Sequence, residues 1–146
     1  MQTAISEVVR TLGIVDRDRR LTSPINLIAL IEGGLPVSAL ERVSKLIAPS
    51  DASFKYRIVS RATLARRRKP GQERLQTDES DRLVRLARIW SFATDVWGGE
   101  DAARAFFFRP HPLLENRLPV DVVLASELGA ELVNDILGRL KYGSAA

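Results

Sequence analysis

The 146-residue chain has no cysteine, one histidine and one methionine. Without cysteine there is neither a disulfide framework nor a thiolate metal site, an absence that suits a reducing compartment, so a cytoplasmic location is expected. The lone histidine, His111, lies between Pro110 and Pro112 with no companion ligand, which makes it a surface or packing residue rather than a catalytic base. Long apolar runs are also missing: no segment approaches the roughly 18 to 20 apolar residues of a membrane span. The opening MQTAISEVVRTLGIVDRDRR lacks the basic start and unbroken apolar run of an export signal, so a protein that is neither exported nor membrane-bound is expected. Sustained period-two alternation is absent as well, and this leaves an all-α fold.

The equipment of an enzyme is equally scarce. Gly33-Gly34 precedes a proline and lacks the glycine spacing that brings successive backbone N–H groups to a phosphate, so it is a turn. The Phe106–Phe108 run, with Trp90 and Trp97, stands at helical spacing among other apolar positions and belongs to a core rather than to a platform for stacked bases. No catalytic residue, metal site or cofactor is expected.

What the chain does have is an apolar fraction of 45%, enough for a core, and an uneven charge. Residues 1–76 carry 14 Lys and Arg against 7 Asp and Glu, net +7; residues 77–146 carry 8 against 11, net −3; the two sum to the overall +4. The sign changes within the polar, Pro-Gly-containing segment KPGQERLQTDES, which places a domain boundary between residues 76 and 77. In the first half, Ile25–Ile31 is nearly continuously apolar, and Val37, Leu40, Val43 and Ile47 recur at helical spacing. In the second, Asp78, Glu79 and Asp81 open a helix whose stripe is Leu83, Leu86, Ala87, Trp90, Ala93, Val96 and Trp97, closed by Gly98-Gly99. Asp81 and Arg85, four apart on it, suit an intrahelical ion pair. A shorter helix follows from Glu100 to Phe108, prolines at 110, 112 and 119 break the chain, and a last helix aligns Leu128, Leu132, Val133, Ile136, Leu137 and Leu140 on one face.

The stretch SRATLARRRKPG, Ser60 to Gly71, carries five cations among apolar residues. A helix-turn-helix accounts for it if residues 50–57 form a first helix, residues 58–60 the turn, and residues 60–69 a second helix held inward by Leu64. Ser60, Arg61, Thr63 and Arg67 then face the major groove, while Arg66, Arg68 and Lys69 neutralise phosphates. A solvated basic helix end running into a linker accounts for the same residues.

The ordered series GGLPVSALERV, RATLARRR, LQTDESDRLVRLARI, EDAARAFF, RLPVDVV and GAELVNDILGRLKYG, over residues 33–143, resembles the Xre/ParS/MbcA type II antitoxins, the partners of RES-domain toxins. The resemblance implies an N-terminal helix-turn-helix domain, residues 1–76, that binds operator DNA and dimerises, and a small C-terminal helical toxin-binding domain, residues 77–146. It further implies that the C-terminal region covers the cleft of an NAD-degrading RES toxin, that toxin and antitoxin assemble into a higher hetero-oligomer built on an antitoxin homodimer, and that the pair represses its own promoter. The toxin-contact candidates carried over are Arg139, Lys141, Tyr142 and Gly143. Arg139 and Lys141 also suit the negative end of the helix dipole.

The chain departs from the family pattern at defined places. Phe54 stands where the first helix of the motif has a small alanine, Ile58 where the turn has glycine, Arg67 at the inward position three after Leu64, and Glu115-Asn116 where a Gly-Gly pair precedes RLP. A β-branched residue resists positive φ, so the turn is expected to be built differently. Two alternatives remain on sequence grounds: a stand-alone helix-turn-helix regulator, and an antitoxin whose degenerate DNA-binding domain serves as a dimer scaffold.

Overall fold

Thr77–Trp97 forms one long helix, and the rest of the chain is arranged around it. In the computed structural model, which describes residues 5–16, 21–71 and 73–143, the order is α1 (Ile5–Leu12), α2 (Pro24–Gly33), α3 (Val37–Ile47), a 3-10 turn (Phe54–Arg57), α4 (Arg61–Arg67), α5 (Thr77–Trp97), α6 (Glu100–Phe107), a second 3-10 turn (Pro112–Leu114), α7 (Pro119–Ala125) and α8 (Glu127–Tyr142). Arg17 to Arg20, most of the VDRDRR segment, lie outside the described residues.

Helix α5 starts where Gln76 N–H donates to the Glu79 carboxylate at 2.8 Å, and it stops at Gly98, whose φ of 77° suits a residue without a side chain. Its expected stripe is buried at Leu83, Leu86, Ala87, Trp90 and Ala93. Trp97 departs from it: at the last turn it is 42% exposed, its ring centroid 5.9 Å from that of Phe106. Helices α1, α2 and α3 pack on α5 from the first half, and α6, α7 and α8 from the second.

The expected boundary at 76/77 coincides with the start of α5, yet the core runs across it as one cluster from Val8 to Leu137. The stretch before α5 is also tied down. Val37 N–H donates to Glu73 O at 2.8 Å, Leu75 N–H to Leu35 O at 2.7 Å, and the buried Leu35 N–H to the Ser80 hydroxyl at 2.9 Å. Gly34, at φ 83°, permits this approach, since a Cβ there would lie 2.4 Å from Leu75 O.

Two sequence expectations about elements are corrected. Residues 50–57 do not form a helix: Asp51 accepts from Ser53 N–H at 3.0 Å in a turn, and only the single 3-10 turn Phe54–Arg57 follows. The face of α8 is rotated from the one expected. Gly129, Ala130, Val133, Ile136 and Leu137 are buried, whereas Leu128, Leu132 and Leu140 are 66%, 50% and 50% exposed. The cause is α7, which comes so close to Gly129 that a Cβ there would lie 2.0 Å from Val122 O.

Candidate functional site

Helix α4 begins at Ser60, whose hydroxyl oxygen accepts from Thr63 N–H at 3.2 Å and donates to Thr63 Oγ1 at 2.8 Å, so both hydroxyls are engaged in the cap. Leu64 is 1% exposed and pins the helix to the core, as its spacing implied. The preceding turn needs no glycine. Ile58 stays at φ −100° and buries its side chain to 1% exposure, and Phe54 is wholly buried against Phe108.

The cations of this stretch separate into three groups. Arg66, joined to Thr63 Oγ1 at 3.4 Å, and Lys69, without an ion pair among the described residues, are turned to solvent. Arg61 is exposed with its guanidinium 4.0 Å from the centre of the Tyr56 ring, a stacking that fixes its direction. Arg67 and Arg68 are spent within the fold. The Arg67 side chain is only 14% exposed and lies 3.8 Å from the Glu79 carboxylate, turned inward instead of toward a groove. Arg68 pairs with Glu41, which also holds Lys55 at 3.2 Å. Burial raises the Glu41 carboxyl, but the hydrogen bonds from Arg68 and Lys55 outweigh it and hold its pKa below the ordinary value.

The motif is fastened to the second half by arginines whose roles the sequence could not reveal, because their acceptors are main-chain carbonyls or distant carboxylates. Arg82 donates to Ile58 O, Arg57 pairs with Asp121 of α7, and Arg104 of α6 donates to Leu46 O at 2.8 and 3.0 Å. Arg85 pairs with Asp81 at 3.1 Å, as its spacing implied, and also with Glu127 at 3.3 Å.

At the far end of α8, Lys141 reaches Asp95 at 2.5 Å and lies over the Phe92 ring. The hydrogen bond from Lys141 to Asp95 raises its pKa above the ordinary lysine value, and the cation is thereby fixed beside α5. Arg139 is exposed and has no ion pair among the described residues, and Tyr142 is 49% exposed. A groove of about 360 Å³, bounded by Phe92, Asn134, Arg139 and Tyr142, opens where Gly138 has no side chain and ends at Gly143. Sequence patterning missed Leu128 and Leu132: with Arg139 and Tyr142 they stand at intervals of 4, 11 and 14 residues from Leu128, on the outward face of α8.

The loop between α6 and α7 takes positive φ without glycine. Glu115 and Asn116 take φ of 54° and 64°, held by His111 O accepting from Asn116 N–H at 2.9 Å and by His111 N–H donating to Arg117 O at 3.1 Å. His111 Nδ1 accepts from Leu113 N–H at 3.1 Å, a capping role. Among the described residues no three His, Asp or Glu side chains gather to hold a metal ion, and no helix is long and apolar enough to cross a membrane.

Two family models match this arrangement. Residues 27–88 match the antitoxin Xre-like helix-turn-helix domain, and residues 92–143 match the antitoxin Xre/MbcA/ParS C-terminal toxin-binding domain. The chain belongs to the Xre/MbcA/ParS antitoxin family. Its relatives include an antitoxin Xre of Yersinia enterocolitica, 38% identical over 88 residues, which are 59% of this chain and 57% of that protein. An antitoxin Xre of Photorhabdus laumondii is 27% identical over 119 residues, 81% of this chain and 80% of that protein. The first is a helix-turn-helix domain and the second a toxin-binding domain, and the Xre/MbcA/ParS antitoxins are not a family of enzymes. The two matched regions meet inside α5, between residues 88 and 92, so the helix that organises the core also joins them.

Proposed function

We propose that the chain is the antitoxin of a type II pair, a cytoplasmic homodimer that neutralises a RES-type, NAD-degrading toxin and binds the operator of its own promoter. The observation that carries this is the match of residues 92–143 to a toxin-binding domain, because that region also presents an outward apolar and cationic face on α8. Leu128 and Leu132 supply apolar contact, Arg139 a cation for toxin carboxylates or the place of NAD phosphates, and Tyr142 a ring with an outward hydroxyl. The C-terminal end, Lys141 to Gly143, covers the NAD cleft, and toxin and antitoxin dimers build a larger assembly. Operator contact comes from the exposed side of α4 and the residues just after it, with Arg66, Lys69 and Arg61 in place of the full set Ser60 to Lys69.

The test is NAD turnover by the purified RES-like toxin with increasing amounts of the full chain and of a version ending at Leu140. Inhibition by the full chain that is lost on truncation supports the assignment; no inhibition by either overturns it and leaves a stand-alone regulator. A second possibility, in which the DNA-binding half is degenerate and scaffolds the dimer, is favoured by the reduction of the motif's first helix to one 3-10 turn. An operator-binding measurement at several salt concentrations separates the two.

A further inference from the structure

Tyr56 stands in the 3-10 turn Phe54–Arg57, and each of the other residues of that turn is held from a different side. Phe54 is wholly buried against Phe108, Lys55 is bound by Glu41 at 3.2 Å, and Arg57 pairs with Asp121. The Tyr56 ring, partly buried and packed on the core, is therefore a fixed surface. Arg61 lies over it, the guanidinium carbon 4.0 Å from the ring centre. The Lys55 ammonium, 5.5 Å from the same centre, is already engaged by Glu41. At the other end of the contact, the Ser60 cap sets where α4 starts and so where Arg61 leaves the main chain.

Stacking takes up a face of the guanidinium and leaves its edge, which carries the N–H donors, open. Among the described residues that edge meets no hydrogen-bond acceptor and no carboxylate. The other cations of the stretch differ on one count or the other. Arg67 and Arg68 face Glu79 and Glu41, Arg66 leans on Thr63 Oγ1, and Lys69 has no planar fork. Arg61 is also the first residue of α4, and side chains at the start of the second helix of such a motif are the ones that meet base edges. An arginine edge fits O6 and N7 of guanine together, and a fork already held in one direction loses less freedom on making that pair. We propose that Arg61 reads a guanine in the major groove and that Tyr56 is the positioning residue that holds its fork, while Arg66 and Lys69 contact phosphates without regard to base. This rests on the operator binding proposed above and assigns its base-reading element.

The experiment uses the full chain and a pool of duplex DNA of randomised sequence. The wild type is expected to select sites that share a guanine, and to lose affinity roughly 10-fold or more when that guanine is replaced by adenine. Arg61→Ala should abolish this discrimination and leave the slope of log affinity against log salt as it was; a phosphate contact would do the reverse. Tyr56→Leu should reduce the discrimination severalfold, and Tyr56→Phe, which keeps the ring, should retain it. A merely structural role for Tyr56 would instead lower affinity for all sequences alike and lower the melting temperature. A wild-type protein that binds no duplex overturns the operator reading itself. Binding that is indifferent to sequence, or discrimination that survives Arg61→Ala, keeps the DNA contact and overturns the reading role of Arg61. Equal discrimination by the wild type and Tyr56→Leu overturns the role of Tyr56.

Discussion

Among the cations of residues 60–69, identity says less than the acceptor each one finds. Arg66 and Arg68 are the same residue two positions apart, yet one faces water and the other is bound by Glu41. The Glu41 carboxyl titrates below its ordinary value of 4.5, so its contribution to holding α4 is present above that pH and is lost as the pH falls through the lowered folded value. Thermal unfolding of the wild type is therefore expected to lose stability below pH 4.5. Glu41→Gln should remove this part of the acid dependence, and an unchanged pH profile in that variant would count against the Glu41 clamp. Lys141 has the opposite sign: its raised pKa means the tie to Asp95 persists below the ordinary lysine value of 10.5 and is lost only as the pH rises beyond it.

On α4 the helix period explains most of what is seen: Leu64 inward, Arg61 and Arg66 outward. Arg67 is the exception, an arginine on the inward side three residues after Leu64, made tolerable by Glu79 at the N-terminus of α5. Arg67→Ala is expected to cost about 2 kcal/mol of unfolding free energy, because a nearly buried carboxylate loses its counter-charge. The same variant should leave the salt dependence of operator binding as it was. Arg66→Ala should do the reverse, sparing stability and lowering the slope of log affinity against log salt by about 0.9, one phosphate contact. Urea unfolding and fluorescence anisotropy at three salt concentrations distinguish the two, and equal effects from both variants would sink the division. The face of α8 shows the limit of the same argument. Its leucines satisfy more than one apolar stripe, and the choice between stripes lay with the close approach of α7 at Gly129.

At the scale of the whole molecule, the helix-turn-helix half shares its core with the rest of the chain. Residues Val8 to Leu64 share a continuous core with α5 to α8, and Arg82, Arg104 and the Arg57–Asp121 pair fasten the two halves together. Unfolding is expected as one cooperative transition, with near- and far-ultraviolet circular dichroism coinciding in urea. A fragment ending at residue 76 loses α5, against which α1, α2 and α3 pack, and is expected to show no cooperative transition. Cooperative melting of that fragment would restore the independent domain that the change of charge sign had suggested.

By itself the sequence determined the all-α class, the extents of α3, α5 and α6 to within a residue or two, the inward role of Leu64 and the membership of an antitoxin family. Apolar period, proline, glycine and an ordered series of motifs are local quantities, and local quantities survive in one dimension. The tertiary structure alone decided that Arg67 turns into the fold and Arg68 is paired with Glu41, that Leu128 and Leu132 face outward, that Glu115 and Asn116 take positive φ, and that α2 is left half uncovered. Each of these depends on which distant carboxylate, carbonyl or helix arrives at the residue, and spacing along the chain carries no record of that arrival.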